Sequence, residues 1–261
     1  MGYRLLPLFD IYMDKYHIYF SDCFDIFPSI PDHSVDMILC DLPFQMTHNA
    51  WDRQLPMEKL WPEYLRIAKE NAAIVLFANG IFTSKLVMSQ EKLWRYNLVW
   101  DKVLTSGFLN ANRQPLRQHE DICVFYRKQP TYNPQKTVGA INHSKGKSGT
   151  TSTNNYNSYG FQDNHEALGN KKHPTSILRF PKKHPSTMLH PTEKSIPLCE
   201  YLIRTYTNPG EVVMDNCMGV GTTGIACMNT ERNFIGIENN LKYYQIASER
   251  LNEIANEKSK L

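Results

Sequence analysis

Short apolar runs that are typical of buried strands alternate along the chain with segments of helical period. HIYFSD at residues 17–22, VDMILCD at 35–41 and AAIVLFAN at 72–79 are rich in β-branched, aromatic and other apolar residues. Between the last two runs, apolar residues recur at helical intervals over 60–68. Strands that alternate with helices predict an α/β protein with a mostly parallel sheet.

The same alternation returns near the end of the chain. We expect a helix around Ser195–Tyr206, then the strand EVVMD, a glycine turn, a helix from Thr222, the strand NFIGIE and a last helix. YNLVWDK and HEDICVFYR, in the first half of the chain, flank a turn-rich segment and predict an antiparallel hairpin at one edge of the sheet.

The region 128–189 differs from the rest in composition and charge. Asn, Ser, Thr, Gly and Lys dominate it, and from Lys128 to His190 there are nine Lys and Arg against two acidic residues, although the whole chain has a formal charge of only +3. Such a segment is either a solvated flexible linker or a basic surface for nucleic acid. We expect it to be an insertion that separates residues 1–127 from residues 190–261.

The length, the composition and the spacing of the cysteines exclude several protein classes. A length of 261 residues with 41% hydrophobic residues suits one large globular domain with an appendage. The longest apolar run, 72–78, is too short for a membrane helix, and Pro7 and Asp10 interrupt any secretory signal, so we expect a cytoplasmic protein without a membrane partner. The six cysteines include no C-x-x-C pair, so neither disulfides nor a metal are expected.

A glycine turn in VVMDNCMGVGTTG carries the first chemical signal. A strand that ends at Asp215 runs into Gly219 and Gly221 and then into a helix from Thr222, a geometry that lets a ligand approach the backbone closely. The next strand ends in Glu238, 23 residues after Asp215, where an acid can accept hydrogen bonds from ribose hydroxyls. Ordinary turn glycines remain the alternative. The third glycine of a dinucleotide fingerprint is absent, so the pattern indicates an adenosine-containing cofactor other than NAD or FAD.

A second signal is Asp41-Leu42-Pro43-Phe44, directly after a buried-type strand. A carboxylate at a strand's carboxyl end, followed by a rigid proline and an aromatic ring, suits a clamp for a small molecule or a base. The alternative for an isolated tetrapeptide is a plain β-turn.

Taken together, these motifs resemble those of DNA amino-methyltransferases of the β class. Asp41-Leu42-Pro43-Phe44 resembles the family's Asp-Pro-Pro-Tyr motif, and 215–223 resembles its Asp-Pro-Phe-x-Gly-x-Gly-Thr-Thr loop. The segment 190–194 resembles its His-Pro-Thr-Gln/Glu-Lys element. The order is catalytic motif, basic insertion and cofactor loop, which is the permuted order of that class. Leu42 and Phe44 depart from the family's first Pro and Tyr, and Asn216-Cys217 replaces its Pro-Phe.

The resemblance implies a Rossmann-like methyltransferase fold with a mostly parallel seven-stranded sheet and S-adenosylmethionine as cofactor. Its motif for the target amine falls on Asp41, Leu42, Pro43 and Phe44. The residues that it implies for the cofactor are Asp22, His190, Thr192, Lys194, Asp215, Gly219, Gly221, Thr222 and Glu238. It also implies that HIYFSD is the third strand of the methyltransferase sheet, beside the strand that ends in Glu238.

The implied partner is double-stranded DNA, in a restriction-modification setting, and a homodimer is left open by analogy. Phosphate contacts are expected from basic residues of the insertion, namely Lys145, Lys147, Lys171, Lys172, Arg179, Lys182 and Lys183. Asp rather than Ser at position 41 favours the N6 amine of a flipped-out adenine. Transfer to the N4 amine of cytosine and a non-catalytic DNA-binding relative are the alternatives. His119 suits either a core position or a place near the target base.

Overall fold

The computed structural model describes residues 16–44, 55–140, 170–183, 186, 188–189 and 193–259. Within these ranges the strands are β1 (Tyr16–Phe20), β2 (Val35–Cys40), β3 (Ala68–Ala78), β4 (Trp94–Ser106), β5 (Arg117–Phe125), β6 (Thr137–Val138), β7 (Lys171–Lys172), β8 (Ile177–Arg179), β9 (Val212–Asp215) and β10 (Asn233–Glu238). The helices are α1 (Cys23–Ile26), α2 (Met57–Ile67), α3 (Ile81–Ser89), α4 (Ile196–Tyr206), α5 (Thr222–Asn229) and α6 (Leu241–Lys258).

Eight of these strands form one sheet in the order β1-β10-β9-β2-β3-β5-β4-β8. Along the sheet, β1, β10, β9, β2 and β3 are all parallel to their neighbours in this group. β5 is antiparallel to both β3 and β4. The predicted position of HIYFSD beside the strand that ends in Glu238 is confirmed, since Phe20 is in register with Glu238. The predicted hairpin is also confirmed, as β4 and β5.

Two features differ from the sequence prediction. The sheet has eight strands instead of seven, because β8 pairs in parallel with β4 and therefore covers the outer edge of the hairpin. A stretch as short as Ile177–Arg179 has no strand signal of its own, but Leu178 is buried against the sheet. Helix α3 is not predicted by the sequence, because its apolar residues have almost no one-sided period: only Phe82 and Leu86 are buried, while Ile81 and Met88 are exposed.

Helices cover both faces of the sheet, as expected for an α/β protein. On one face, α1, α2 and α3 bury side chains such as Ile26, Tyr64 and Phe82. On the other, α4, α5 and α6 bury side chains that include Leu202 and Leu251. In α6, Ala247 and Leu251 are fully buried and form the core-facing stripe of the helix. In the described part of the chain, no helix is long and apolar enough to span a membrane.

The chain divides into two compact units, Pro134–Thr175 and the remainder. The smaller unit lies within the expected insertion, and its described part contains the two-stranded sheet of β6 and β7. The segments 128–133 and 176–189, which the sequence placed in the insertion, fall in the larger unit. Asn133 shows why: its backbone N–H donates to the Thr205 carbonyl and its side chain to the Arg204 carbonyl, at the end of α4.

Candidate active site

A cavity of about 620 Å³ opens in the larger unit at the carboxyl ends of β1, β2, β9 and β10. Sheets of this type bind ligands at that edge. Eleven of the residues that the sequence singled out line it: Asp22, Asp41, Leu42, Pro43, Phe44, Lys182, Lys194, Asp215, Gly219, Thr222 and Glu238. Motifs that are more than 170 residues apart in the chain therefore share one cavity.

The glycine turn between β9 and α5 forms one wall of this cavity. Gly219 has φ +53° and Gly221 has φ +79°, and residues other than glycine rarely adopt such positive values. A Cβ on Gly219 would meet nothing within 4 Å, whereas a Cβ on Gly221 would come within 3.1 Å of the Ala247 Cβ. Gly219 thus leaves room for a ligand, and Gly221, which does not line the cavity, lets the turn pack on α6.

Asp215 stabilises the conformation of this turn. Its carboxylate is buried and accepts hydrogen bonds from the Thr223 hydroxyl at 2.7 Å and from the Cys217 N–H at 3.1 Å. Burial raises the pKa of Asp215 to about 6, although these donors act in the opposite direction. The predicted cofactor residue therefore also fixes the conformation of the loop.

Glu238, at the end of β10, is held by backbone donors. Its carboxylate accepts the N–H of Gly219 at 2.9 Å and that of Asn240 at 2.8 Å. Burial raises the pKa of Glu238 despite these donors. Because each carboxylate oxygen has two acceptor positions, the group keeps capacity for hydroxyl donors of a ligand. Asp22, which follows β1, is exposed, lines the cavity and caps α1 through the Phe24 N–H.

Asp41, on the part of the cavity wall that follows β2, is paired with a buried lysine. The Lys194 Nζ lies 2.8 Å from the Asp41 carboxylate and 3.1 Å from that of Glu120. Burial by itself would lower the pKa of Lys194, but the two carboxylates outweigh it and raise that pKa above its ordinary value. Lys194 is therefore a fixed cation, and an ammonium at this distance favours the ionised form of Asp41.

Glu120 and Lys102 extend this charge pair into the hairpin. Glu120 on β5 bonds Lys102 on β4 at 3.0 Å, and both side chains line the cavity. Burial would raise the pKa of Glu120, but Lys194 and Lys102 lower it to about 2. We call Asp41, Lys194, Glu120 and Lys102 the charge network.

The sequence did not identify Glu120 or Lys102 as site residues. Opposite charges on the two strands of the predicted hairpin were the available signal, but the sequence could not show that both face the cavity. For His119, the neighbour of Glu120, the structure excludes one of the two positions that the sequence allows. The side chain is exposed, so the core alternative is wrong, and a place near the target base stays a prediction.

Phe44 is half-buried, and its ring lies 4.7 Å from that of Phe82 at 32°. It borders the charge network, with the Lys194 Nζ 5.9 Å from the centre of the Phe44 ring. Leu42, in contrast, is buried in the hydrophobic core, although it also borders the cavity. The motif therefore presents a carboxylate and an aromatic ring to the same cavity.

Comparison with known proteins identifies the family. The model of the DNA methylase family for N6 and N4 methyltransferases matches residues 35–249. The chain belongs to the DNA methylase family. The resemblance drawn from Asp41–Phe44 and from the glycine loop is thereby confirmed.

Among its relatives, this DNA methylase is 24% identical to the Type II methyltransferase M2.MboI of Moraxella bovis, over 96% of this chain and 93% of the relative. It is 26% identical to M1.MboII of Moraxella bovis, over 91% and 96% of the two chains. The structure of the M1.HpyAVI–SAM complex matches with a TM-score of 0.61 at 26% identity, over 90% of this chain and 100% of that one. The cytosine-N4-specific PvuII DNA methyltransferase has a TM-score of 0.62 at 14% identity, over 93% and 92%, and supports the Rossmann-like fold alone.

The DNA methylase departs from its family at Asn216-Cys217, and the structure accommodates the change. The Tyr64 hydroxyl donates to the Asn216 side-chain oxygen at 2.5 Å, and both residues are buried. A polar side chain in place of the family's Pro is thus paired with a partner on α2.

The predicted DNA-contacting residues lie in different surroundings. Arg179 is exposed, 3.7 Å from Asp101, whereas Lys183 pairs with the buried Glu193 at 2.7 Å. Lys182 lines the cavity, and burial lowers its pKa, as do the neighbouring Lys102 and Lys194. Lys171 and Lys172 form β7 of the smaller unit. Lys145, Lys147, His190 and Thr192 lie outside the described residues.

Proposed function

We propose that this DNA methylase transfers a methyl group from S-adenosylmethionine to the N6 amine of an adenine flipped out of double-stranded DNA. One observation carries the proposal: a single cavity joins the Asp41–Phe44 motif to the glycine loop and Glu238. Its volume of about 620 Å³ falls in the range of roughly 300–1,000 Å³ that is typical of ligand sites.

The glycine-loop side of the cavity fits the cofactor. The Gly219 Cα faces open space that a side chain would fill, and the Glu238 carboxylate retains acceptor positions for ribose hydroxyls. Asp22, exposed at the same wall, is the candidate contact for the adenine ring. S-adenosylmethionine, when bound there, supplies an electrophilic methyl group. The similar M1.HpyAVI structure is a complex with SAM, which supports this assignment.

Asp41 makes the target amine a nucleophile. An exocyclic amine is a poor nucleophile, because its lone pair is delocalised into the base. The Asp41 carboxylate accepts one N–H of this amine and the Leu42 carbonyl accepts the other, which favours a tetrahedral nitrogen. The N–C bond would form as the methyl–sulfur bond breaks, with S-adenosylhomocysteine as the leaving group, and the methylated nitrogen would then release one N–H proton to solvent. The carboxylate also opposes the positive charge that develops on nitrogen, an effect of about 3 kcal/mol by analogy with oxyanion holes.

The charge network keeps Asp41 in the form that this role needs. The Lys194 ammonium, 2.8 Å away, holds the carboxylate ionised and fixes its orientation. Glu120 and Lys102 in turn hold Lys194 in place. We assign positioning roles to Lys194, Glu120 and Lys102.

Phe44 stacks on the flipped base. Its ring is half-buried against Phe82 and so is fixed at the cavity wall before the base arrives. Base–aromatic stacking contributes roughly 1–3 kcal/mol. The exposed Arg179 and the lysines of β7 are assigned to phosphate contacts outside the cavity.

The test is nucleoside mass spectrometry on mixed-sequence duplex DNA incubated with the protein and isotope-labelled S-adenosylmethionine. Labelled N6-methyladenine is expected. Labelled N4-methylcytosine would keep the mechanism and overturn the choice of base.

The variant Asp41→Ala separates catalysis from binding. It should lose transfer while it retains cofactor and DNA binding. If the wild-type protein binds both but labels neither base in DNA that contains many sequence contexts, the non-catalytic alternative is correct.

A further inference from the structure

The connection between β4 and β5 carries two adjacent apolar side chains in full contact with solvent. Phe108 is 79% exposed and Leu109 is 100% exposed. In the described part of the chain they are the two most exposed large hydrophobic residues. Exposing such a pair costs free energy that a purely structural loop has no reason to bear. Leu104, near the end of β4, and Leu116, in the same connection, are exposed to a smaller extent.

This pair stands on an ordered support. Gly107, with φ +86°, turns the chain into the 3₁₀ turn Phe108–Asn110. The backbone N–H groups of Asn110 and Ala111 bond the carbonyls of Gly107 and Phe108, and a second turn follows at once, with Arg113 and Gln114 donating to the Asn110 carbonyl. The side chains of Phe108 and Leu109 therefore lie on a hydrogen-bonded turn, residues 107–114, which we call the tip.

The tip begins where the hairpin reaches the cavity. Ser106, the last residue of β4, pairs with Arg117, the first residue of β5, and both line the cavity wall. The Ser106 hydroxyl donates to the Arg117 carbonyl at 3.2 Å, which closes the base of the tip. Phe108 is two residues from this wall along the chain.

The charge of the segment indicates its partner. From Lys102 to His119 the sequence has Lys102, Arg113 and Arg117 and no acidic residue, and Arg113 and Arg117 are exposed. Asn110, Asn112 and Gln114 add exposed amides. A tip of two apolar side chains with flanking cations and amides is complementary to a duplex, whose stacked bases are apolar and whose phosphates are anionic.

We propose that Phe108 and Leu109 form a wedge that enters the base stack of double-stranded DNA at the position left by the flipped target base, while Arg113 and Arg117 contact the adjacent phosphates. This inference rests on the proposed function. Its energetic role is limited to paired DNA: an inserted apolar side chain replaces the stacking that the duplex loses when a base leaves it. A target base that is already unpaired needs little such help.

The test compares two substrates with one double variant. The recognition site is first mapped by sequencing plasmid DNA methylated by the wild-type protein. Single-turnover methylation is then measured for Phe108→Ser/Leu109→Ser on a fully paired duplex with this site, and on the same duplex with an abasic position opposite the target base. We expect the rate on the paired duplex to fall about tenfold or more and the rate on the abasic duplex to stay within about twofold of wild type.

The matched control is Met88→Ser, which removes a side chain that is 69% exposed on α3 and does not line the cavity. It should leave both rates unchanged. A second readout is the fluorescence of 2-aminopurine at the target position, which should rise on binding of wild type and rise less with the double variant.

Equal loss on both substrates, or no loss on either, would overturn the wedge. Failure of the wild-type protein to methylate any DNA would instead overturn the proposed function, so the two failures are distinguishable.

Discussion

The two walls of the cavity use the same residue types in opposite electrostatic settings. On the glycine-loop wall, Asp215 and Glu238 are held by backbone N–H groups and a hydroxyl, and burial raises the pKa of both. On the other wall, Glu120 is less buried and lies between Lys194 and Lys102, and these two cations lower its pKa to about 2.

This difference separates two functions. Neutral donors suit a wall that is proposed to exchange hydrogen bonds with the hydroxyls of a ligand. The charge network instead places the Lys194 ammonium 2.8 Å from the Asp41 carboxylate, where positive charge is proposed to develop. Burial alone thus does not determine the charge of a carboxylate; the partners that the fold supplies decide it.

Removing Lys194, one of the two cations of the charge network, should have the largest effect. Lys194→Met leaves Asp41 and Glu120 on the wall without the ammonium that they share. We expect a loss of about 3–5 kcal/mol in the free energy of unfolding, since one partner of a buried pair is removed. Methyl transfer should fall by about 100-fold or more. Denaturant titration and single-turnover transfer measure the two losses.

The control for this variant is Lys183→Met, which removes a more exposed lysine from its ion pair with the buried Glu193. Glu193 retains Arg250 at 3.2 Å and the Leu189 N–H, so the loss of stability should stay near or below about 1 kcal/mol. Equal losses for the two variants would contradict the special role of Lys194.

Asp215 should make stability fall as pH rises through the acid range. Its pKa is about 6 in the folded protein against an ordinary 3.8, so between these values the folded state holds a proton that the unfolded chain has released. Stability is therefore highest below about pH 4 with respect to this group and decreases up to about pH 6, by about 3 kcal/mol.

Asp215→Asn should remove this decrease. The measurement is the difference in the free energy of unfolding between the variant and wild type from pH 4 to 7, so that other titrating groups, such as Glu120, cancel. Asp25→Asn, at an exposed position on α1, is the control and should leave the profile unchanged. A flat difference for Asp215→Asn would show that the folded carboxylate titrates normally.

Exchanging a carboxylate for an amide on each wall should affect different kinetic constants. Glu238→Gln should weaken cofactor binding roughly tenfold to hundredfold, as expected for the loss of hydrogen bonds to a charged group, with little change in kcat. Glu120→Gln should lower kcat and leave cofactor affinity within about twofold. Isothermal titration with S-adenosylmethionine and steady-state kinetics separate the two. If both variants changed the same quantity, either kcat or cofactor affinity, the proposed difference between the two walls would be wrong.

The sequence predicted the parts of this molecule that depend on local periods. The parallel strands and most helices follow from the apolar runs and the helical intervals, and the position of β1 followed from the permuted motif order. The sequence did not predict β8, because a strand of three residues is too short to show a periodic pattern of apolar residues. This strand forms because Ile177–Arg179 pairs with β4 and Leu178 is buried.

The glycine wall was predicted more completely than the charge network. Gly219 and Asp215 are eight residues or fewer from Thr223 and belong to one turn, so their geometry is local. Glu120 and Lys194 are 74 residues apart and meet only in the folded chain. Charged residues are mostly exposed, so composition and period gave no reason to place Lys102 or Glu120 inside.

Alanine at the two loop glycines should produce the smallest effects, and their difference refines the picture of the glycine wall. Both positions have positive φ, so each substitution carries about 1–2 kcal/mol of backbone strain. At Gly221 the new Cβ also meets the Ala247 Cβ at 3.1 Å, and α6 must shift. At Gly219 it meets nothing within 4 Å and would occupy the space assigned to the cofactor.

Gly221→Ala should therefore lose more stability, and Gly219→Ala should lose more cofactor affinity. Gly107→Ala isolates the strain, because Gly107 is left-handed like Gly221, no atom lies within 4 Å of the new Cβ and the residue does not line the cavity. Thermal unfolding and titration with S-adenosylmethionine measure both quantities. If Gly219→Ala matched Gly107→Ala in stability and bound the cofactor as tightly as wild type, the cofactor would have to lie away from the glycine turn, and the assignment of this wall would be wrong.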